Sequence, residues 1–527
     1  MNDYLKKARR FLEKEQIDYL LVNSTNEFLV EYNDLQRNSR YHLTGFSGST
    51  GDALVSLDNV YLFVDGRYHV QADLEVDHND ITVIKLQMGE KTLDKMFEIM
   101  DENSVLGLCS KKNSQFRYKN ICAKLNEKNI SVKLFDIDPT EKPFERKQQN
   151  ITEISVELTG KSSEDKVNSI KTHLKNDEAI LITNLEEISY LFNIRNFEQE
   201  NSCSVEGKAI ISNNETRLFK DETLNDFENY IKNLKGINTI YTDETSISAH
   251  DYALLGEKAK KAETNYIRMT KCIKTDAELE HYKDAFRRTD AALLATRQYI
   301  LETDNISEFD IKNELERNFR KYGAVSQSFT SIIAKDQNSA LAHYSKSSKD
   351  EILKDGSLVL IDCGAYYNGG LATDITRVFV KGEPSELHKK IYTMVLKAFL
   401  RAYNTEEFDC GFDIDFVARD FLMKNLPDGF VFNHGLGHGI GVSVHEGPPR
   451  LSTPCPDAFV ELQDNMCFTI EPGLYGEGHF GVRLENSCYY KKGKIQSFTN
   501  MCYEKKLIDF SMLTEQEKVW LDEFEVR

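Results

Sequence analysis

Two aspartates lie on the two arms of a hairpin predicted between residues 357 and 378. The apolar run 357–363 contains Asp362 near its end, and Asn368-Gly369-Gly370 supplies a natural turn before the chain returns through Asp374. Such a hairpin can place the two carboxylates side by side. Buried carboxylates repel each other unless a proton or a cation lies between them, which favours a metal ion. The alternative is a solvated hairpin with two incidental acids, and these residues alone do not decide between the two interpretations.

A glycine-rich block over residues 433–448 carries three histidines within twelve positions. They are His434, His438 and His445, and glycines lie between them. Glycines let a backbone pass close to a bound group, while imidazoles serve as metal ligands or proton donors. So many glycines exclude a packed amphipathic helix. The block therefore favours a binding or catalytic site, although a single histidine is more often structural.

Two further apolar segments each enclose one glutamate, Glu471 and Glu485. An unpaired carboxylate inside an apolar strand is costly, so both glutamates need a partner. Together with the two aspartates they give four carboxylates beside at least one histidine. Such an oxygen-rich set favours Mn²⁺, Co²⁺, Mg²⁺ or a pair of Zn²⁺ ions over the Cys/His cage of a structural zinc. Four carboxylates can bridge two ions about 3.5–4 Å apart, which is an arrangement for hydrolysis.

The composition indicates an ordinary globular protein of several domains. The chain has 527 residues, and about 150 residues per domain suggests roughly three. The formal net charge of −19 opposes wholesale binding to nucleic acid or anionic membrane. No stretch approaches the ~20 apolar residues of a membrane span, and the first residues lack the apolar region of a signal peptide. The ten cysteines are scattered without a C-x-x-C pair, which predicts a reduced, cytoplasmic protein.

Two segments ahead of the candidate site repeat one α/β pattern. Residues 51–65 match residues 207–221 with the same spacing from glycine to aspartate, and residues 21–23 align with 182–184. We interpret the match as an internal duplication, with chance similarity between two hairpins as the alternative. A linker over residues 138–149 separates the copies.

With these motifs in place, the chain resembles the creatinase-like, or pita-bread, metallopeptidases, and among them the three-domain Xaa-Pro aminopeptidases. The resembling segments are 41–48, 65–68, 190–195, 329–334 with His343-Tyr344, the blocks described above, and 506–509. The resemblance implies an α/β (α+β) fold class. It predicts two related creatinase N-terminal-like domains, 1–150 and 151–270. A pita-bread catalytic domain with a short C-terminal extension follows over 271–527, and a long helical pattern over 271–300 opens it.

The resemblance also implies the roles of individual side chains. Two divalent ions, usually Mn²⁺ with Co²⁺ or Zn²⁺ as alternatives, would be held by Asp362, Asp374, His438, Glu471 and Glu485. Glu471 would also act as the general base. His343 and His445 would hydrogen-bond the substrate carbonyl and the tetrahedral intermediate, whereas His434 would line the proline-binding side. Arg483 would support the neighbouring carboxylates or contact substrate.

The reaction implied by the resemblance is the release of the N-terminal residue from peptides whose second residue is proline. Family members are commonly homodimers, and neither nucleic acid nor membrane is expected as a partner. A prolidase, which cleaves only Xaa-Pro dipeptides, is the first alternative, but it normally has a single N-terminal domain. A non-catalytic pita-bread binding protein is the second, but such proteins have lost metal ligands. The duplicated domain and the five filled positions favour the aminopeptidase.

Overall fold

The computed structural model describes residues 2–87 and 89–527. Its contacts divide the chain into two compact units. The first contains the chain up to Gln149, Ser163–Phe192 and Val205–Asn265, and the second contains Asn150–Ser162, Asn193–Ser204 and Tyr266–Arg527. Two short segments of the predicted middle domain thus pack with the C-terminal unit. The domain boundaries given above stay a prediction.

The first sheet and the helices around it come from residues 3–135. In chain order they are α1 (Asp3–Glu15), β1 (Tyr19–Asn23), α2 (Ser39–Thr44), β2 (Asp52–Val55), β3 (Val60–Val64), α3 (His69–Glu75), β4 (Thr82–Lys85), α4 (Thr92–Ile99), β5 (Val105–Cys109), α5 (Gln115–Leu125) and β6 (Ser131–Phe135). The strand order is β4-β3-β2-β1-β5-β6. All of β1 is buried, as expected for an apolar strand in a sheet covered on both faces.

The second sheet repeats this arrangement. The next elements are β7 (Thr152–Glu153), α6 (Val156–Thr159), α7 (Ser163–Lys171), β8 (Glu178–Ile182), α8 (Leu185–Leu191), β9 (Ile194–Arg195), β10 (Gly207–Ser212), β11 (Thr216–Lys220), α9 (Phe227–Asn233), β12 (Thr239–Thr242), α10 (Ala249–Leu255) and β13 (Ala259–Lys261). The order β11-β10-β8-β12-β13 corresponds strand for strand to β3-β2-β1-β5-β6, as a duplication predicts. The predicted strand alignment is wrong by one residue, because Ala53 pairs with Val22 whereas Ala209 pairs with Ile182.

The C-terminal unit is built from residues 266–527 and the two short segments. Its further elements are α11 (Tyr266–Cys272), α12 (Asp276–Glu302), α13 (Glu308–Lys321), β14 (Ser326–Gln327), β15 (Ile332–Lys335), β16 (Leu358–Cys363), β17 (Ala365–Tyr366), β18 (Ile375–Val380), α14 (Glu386–Tyr403), α15 (Gly411–Lys424), β19 (Gly437–His438), β20 (Arg450–Leu451), β21 (Cys467–Ile470), β22 (Gly473–Tyr475), β23 (Gly481–Arg483), β24 (Asn486–Lys491), β25 (Lys494–Ser497) and α16 (Glu515–Leu521). The helix expected over 271–300 is two helices, because Thr275 and Glu278 form a capping box that starts α12. In the described part of the chain, no helix is long and apolar enough to cross a membrane.

The sheet β15-β16-β18 separates two hydrophobic clusters of the C-terminal unit. Alternate residues of β16 enter different clusters: Leu358 and Leu360 pack with residues of α14 and β21, whereas Val359 and Ile361 pack with residues of α12 and α13. This alternation follows from the two-residue period of a strand. Asp362 therefore lies on the face of the sheet that carries Leu358 and Leu360, which is the face that packs against β21.

Candidate metal centre

The hairpin β16–β18 brings its two aspartates onto one face. Asp362 pairs with Thr376, and Asp374 lies two residues before Thr376, so the two carboxylates are diagonal neighbours. The turn closes through Gly370, whose N–H donates to the carbonyl of Tyr367 at 2.8 Å and whose φ of +62° suits glycine. A regular hairpin therefore positions both acids.

A second antiparallel strand pair places the two glutamates opposite each other. Ile470 pairs with Asn486 on one side and Gly473 pairs with Arg483 on the other. The same register continues between these pairs and makes Glu471 the cross-strand partner of Glu485. Like charges directly opposite destabilise a sheet, so this pair requires a compensating group.

Thr376 joins the two strand pairs. Its carbonyl accepts the N–H of Glu485 at 3.1 Å, and its hydroxyl donates to Glu485 Oε2 at 2.8 Å. Because Thr376 is opposite Asp362 and next but one to Asp374, this contact brings Glu485 to the two aspartates. Four carboxylates thereby share one site.

His438 reaches the same site from β19. Its Nδ1 lies 3.1 Å from the carbonyl of Gly439, and since a carbonyl only accepts, Nδ1 carries the proton. Its Nε2 lies 3.6 Å from Asp374 Oδ2 and 3.7 Å from Glu471 Oε1. The strand comes this close because Gly437 has no side chain: a Cβ there would lie 1.9 Å from the carbonyl of Thr469.

The donor set fits divalent metal ions. Among the described residues, Asp374, His438 and Glu485 present ligand atoms that all lie within 4.8 Å of one another. Asp362 Oδ1 and Glu485 Oε1 are buried acceptors without a hydrogen-bond partner. Burial and the neighbouring carboxylates raise the pKa of Asp374 well above its usual range, and burial and Asp362 raise that of Glu485 to about 8. A cation would compensate this crowded negative charge.

A chain of polar contacts runs from Asp362 to His434. Arg483 donates to Asp362 Oδ2 at 2.5 Å and to the hydroxyl of Tyr475 at 2.7 Å. The hydroxyl of Tyr475 in turn lies 2.9 Å from His434 Nε2. The sequence reasoning missed Tyr475, although it shares strand parity with Glu471, which is a signal that it faces the same site. His434 is thus positioned through Tyr475 and Arg483.

The two remaining predicted histidines lie on separate loops. The ring of His445 packs edge-on against that of His438, with centroids 4.4 Å apart. His343 is partly exposed and follows a 3₁₀ turn over Asp336–Ala340, in which Ser339 Oγ accepts the N–H of Gly481 in β23 at 2.8 Å. The structure therefore brings His445 to the carboxylate cluster and attaches the His343 turn to the strand of Arg483.

Family models match three consecutive parts of the chain. Residues 280–492 match metallopeptidase family M24, and residues 5–141 and 141–278 each match a creatinase/prolidase N-terminal domain. Both the duplicated domain and the metal centre thus lie in segments with recognised relatives.

Complete proteins are similar over nearly the whole length. Xaa-Pro aminopeptidase 1 of Dictyostelium discoideum is 28% identical over 99% of this chain and 91% of its own length. A probable Xaa-Pro aminopeptidase P of Laccaria bicolor is 29% identical over 99% of this chain and 88% of its own length. The crystal structure of X-prolyl aminopeptidase from Caenorhabditis elegans, described as a cytosolic enzyme with a di-nuclear active site, superposes with a TM-score of 0.91. It covers 99% of this chain and 94% of its own chain at 22% identity, so it shows the shared fold. The chain therefore belongs to metallopeptidase family M24 and carries two creatinase/prolidase N-terminal domains ahead of its metallopeptidase domain.

Proposed function

We propose that the chain is an Xaa-Pro aminopeptidase, which releases the N-terminal residue from peptides with proline in the second position. The carrying observation is the cluster in which Asp374, His438 and Glu485 present ligand atoms within 4.8 Å of one another. The full-length relatives named Xaa-Pro aminopeptidase support the substrate class.

We propose that five side chains hold two divalent ions. Mn²⁺ is the first ion to test, followed by Co²⁺ and Zn²⁺. The ligands are Asp362, Asp374, His438, Glu471 and Glu485. The orphaned acceptors and the raised pKa values described above support this set, and the di-nuclear site of the Caenorhabditis elegans enzyme supports the number. Bound there, the ions would activate water and stabilise negative charge on the scissile carbonyl.

Glu471 is the general base of the proposed reaction. Its side chain is 20% exposed, compared with 7% for Asp374, so it can exchange a proton with water and substrate. It takes the proton from the attacking water and delivers it to the proline nitrogen as the bond to that nitrogen breaks. An amide anion is a poor leaving group, so the proline nitrogen departs only once it receives this proton.

The three histidines bind substrate in this proposal. His445 and His343 donate hydrogen bonds to the carbonyl oxygen that becomes the oxyanion, and one such donor contributes about 3 kcal/mol. His434, fixed by Tyr475, lines the proline side of the pocket. Arg483 holds Asp362 and Tyr475 in place.

A substrate comparison tests the proposed function. Purified full-length protein loaded with Mn²⁺ is given Arg-Pro-Pro, an Xaa-Pro dipeptide and a tripeptide without proline. Release of arginine from Arg-Pro-Pro and none from the proline-free peptide is the expected result. No release from Arg-Pro-Pro would refute the aminopeptidase, and cleavage restricted to the dipeptide would identify a prolidase.

We also propose a cytoplasmic homodimer with domains 1–150, 151–270 and 271–527. The ten cysteines are all free thiols, which suits a reducing compartment, and the Caenorhabditis elegans relative is described as cytosolic. For the dimer, an aromatic patch of Phe412, Phe416 and Phe459 offers an apolar contact surface, with Phe416 58% exposed.

A further inference from the structure

A buried ion triplet lies directly beside His445 and outside the carboxylate cluster. Glu446 Oε2 is 3.2 Å from Lys271 Nζ, and Glu446 Oε1 is 3.2 Å from Lys274 Nζ. All three side chains are at most 3% exposed. Burial acts to raise the pKa of Glu446, but the two ammonium groups outweigh it and lower that pKa to about 2. The carboxylate is therefore a fixed negative charge held between two elements, the loop of Glu446 and the α11–α12 junction.

The glycine-rich loop folds around this carboxylate. Glu446 Oε2 accepts the backbone N–H of Val442 at 2.7 Å and that of Ser443 at 3.3 Å. The N–H of Glu446 itself donates to the carbonyl of Gly439 at 2.8 Å. A Cβ on Gly441 would lie 2.0 Å from Glu446 Oε1, so the loop closes onto the carboxylate only with glycine there. One side chain thus sets the conformation of residues 439–446.

The other side of the loop is tied to the hairpin that carries Asp374. The N–H of Ala372 donates to the carbonyl of Gly441 at 2.8 Å, and the hydroxyl of Tyr366 donates to the carbonyl of Val442 at 2.9 Å. The loop therefore connects the lysines at the start of the C-terminal unit to the aspartate hairpin. Its last residue before Glu446 is His445, whose ring packs on the ligand His438.

We propose that Glu446, clamped by Lys271 and Lys274, is the positioning residue that orders the 439–446 loop and so holds His445 against His438. This inference rests on the proposed function for its kinetic consequence, although the ordering of the loop does not depend on it. Glu446 contacts neither substrate nor the reacting atoms and acts through His445. A displaced His445 loses transition-state stabilisation, so kcat falls while ground-state binding is retained.

The test uses the full-length chain and three variants. Glu446→Gln removes the charge and leaves one acceptor oxygen, whereas Lys274→Met leaves the carboxylate with Lys271 and the backbone donors. Glu461→Gln, on an exposed glutamate of the same domain, is the matched control. Each protein is measured for kcat and KM on Arg-Pro-Pro, for bound Mn²⁺, and for amide hydrogen exchange of the 439–446 peptide.

Glu446→Gln is expected to lower kcat about tenfold or more, with KM changed less than about threefold and bound Mn²⁺ unchanged. Amide exchange should accelerate in residues 439–446 and stay unchanged in β1–β6, and Lys274→Met should show a smaller effect of the same kind. Wild-type kcat in a folded Glu446→Gln protein, or lost activity without faster exchange of the loop, would overturn the inference. If Glu446→Gln does not fold, Lys274→Met decides: unchanged exchange of the loop rejects the proposal. A wild-type chain that releases no arginine refutes the proposed function instead, and the exchange of the metal-free chain still tests the loop.

Discussion

At the scale of single residues, the candidate site concentrates negative charge that the protein alone does not neutralise. Asp374 is buried beside Glu485 and Asp362, and these neighbours act with burial to raise its pKa. Arg483 offsets part of the charge, but its guanidinium is directed to Asp362 and Tyr475. The unsatisfied carboxylate oxygens and the raised pKa values show that these buried acids need a proton or a cation between them.

Replacing Asp374 tests this view most directly. Asp374→Ala removes one of the three ligand atoms that lie within 4.8 Å of one another, so we expect more than about a hundredfold loss of kcat and reduced binding of Mn²⁺. Peptide release and metal content measured on the same preparation check both effects. Asp428→Ala, on an exposed aspartate, is the control and should match the wild type. Near-normal activity with metal still bound would refute the role of Asp374.

At the scale of elements, the site depends on how closely strands approach each other. Gly437 lies where β19 approaches β21, and the N–H of Glu471 donates to the carbonyl of Leu436 at 2.7 Å across the same contact. A methyl group at this point would have to move a backbone rather than a flexible side chain. His438 would move with it.

Gly437→Ala is therefore expected to reduce kcat at least about tenfold, because a displacement near 1 Å at a catalytic group costs up to a hundredfold. Gly435→Ala is the matched control, since its Cβ would approach the nearest atom only to 3.2 Å, and its loss should be clearly smaller. Steady-state kinetics and metal content of both variants provide the comparison. Equal activity of the two variants would contradict the argument from close approach.

Asp290 on α12 makes a pH-dependent contact between elements. Its carboxylate accepts the hydroxyl of Thr499 at 2.5 Å and the N–H of Asn500 at 2.7 Å, and burial raises its pKa to about 6. An aspartate in the unfolded chain titrates near 3.9, so between these values the unfolded chain has lost a proton that the folded chain keeps. The free energy of unfolding thus falls as pH rises through this window and the contribution is constant above it.

Asp290→Asn removes this dependence. Relative to the variant, the wild type should lose about 2 kcal/mol between pH 4 and 7, since one pKa unit corresponds to 1.36 kcal/mol and part of the titration lies below pH 4. Urea unfolding of both Mn²⁺-loaded proteins over that range measures the difference, with the exposed Asp428→Asn as control. A difference between wild type and Asp290→Asn that does not vary with pH would rule out the titration.

Much of this site follows from local sequence. A turn signal between two apolar runs was sufficient to predict the hairpin that carries Asp362 and Asp374. The two-residue period of its strands then puts both acids on the same face of the sheet. The opposition of Glu471 and Glu485 could not be predicted, since it depends on the register between distant strands. The same holds for Glu446, whose partners Lys271 and Lys274 lie about 170 residues away in the chain and gave no local signal. The start of α12 was missed although Thr275 and Glu278 carry the capping-box pattern.

At the scale of the whole molecule, the chain combines a duplicated α/β domain with a metallopeptidase domain. The two N-terminal sheets share their strand order, but the alignment of β1 with β8 predicted from the sequence is wrong by one residue. Short apolar strands resemble one another at several offsets. Comparison of the two sequences therefore detected the duplication but aligned β1 with β8 one residue out of register. Only the pairing of Ala53 and Ala209 with their partners fixes the correspondence.

The proposed homodimer gives a prediction at this scale. Wild-type protein should have a mass in solution of twice the 60.6 kDa chain. Phe416→Glu, which introduces a charge into the exposed aromatic patch, should yield the monomer, and Leu74→Glu on another exposed apolar residue should not. Light scattering coupled to size-exclusion chromatography makes the measurement. A monomeric wild type would disprove the dimer.

Each pair of acids at the metal centre is fixed by its own hairpin, and the turn of each hairpin lies between its two acids along the chain. The turn at Glu477–His479 is exposed and lies beyond the pairs that place Glu471 opposite Glu485. This turn can therefore be lengthened or rewritten while the strand pairs that place the two glutamates stay in register. Such a turn offers protein engineers a place to graft new sequence without rebuilding the metal centre.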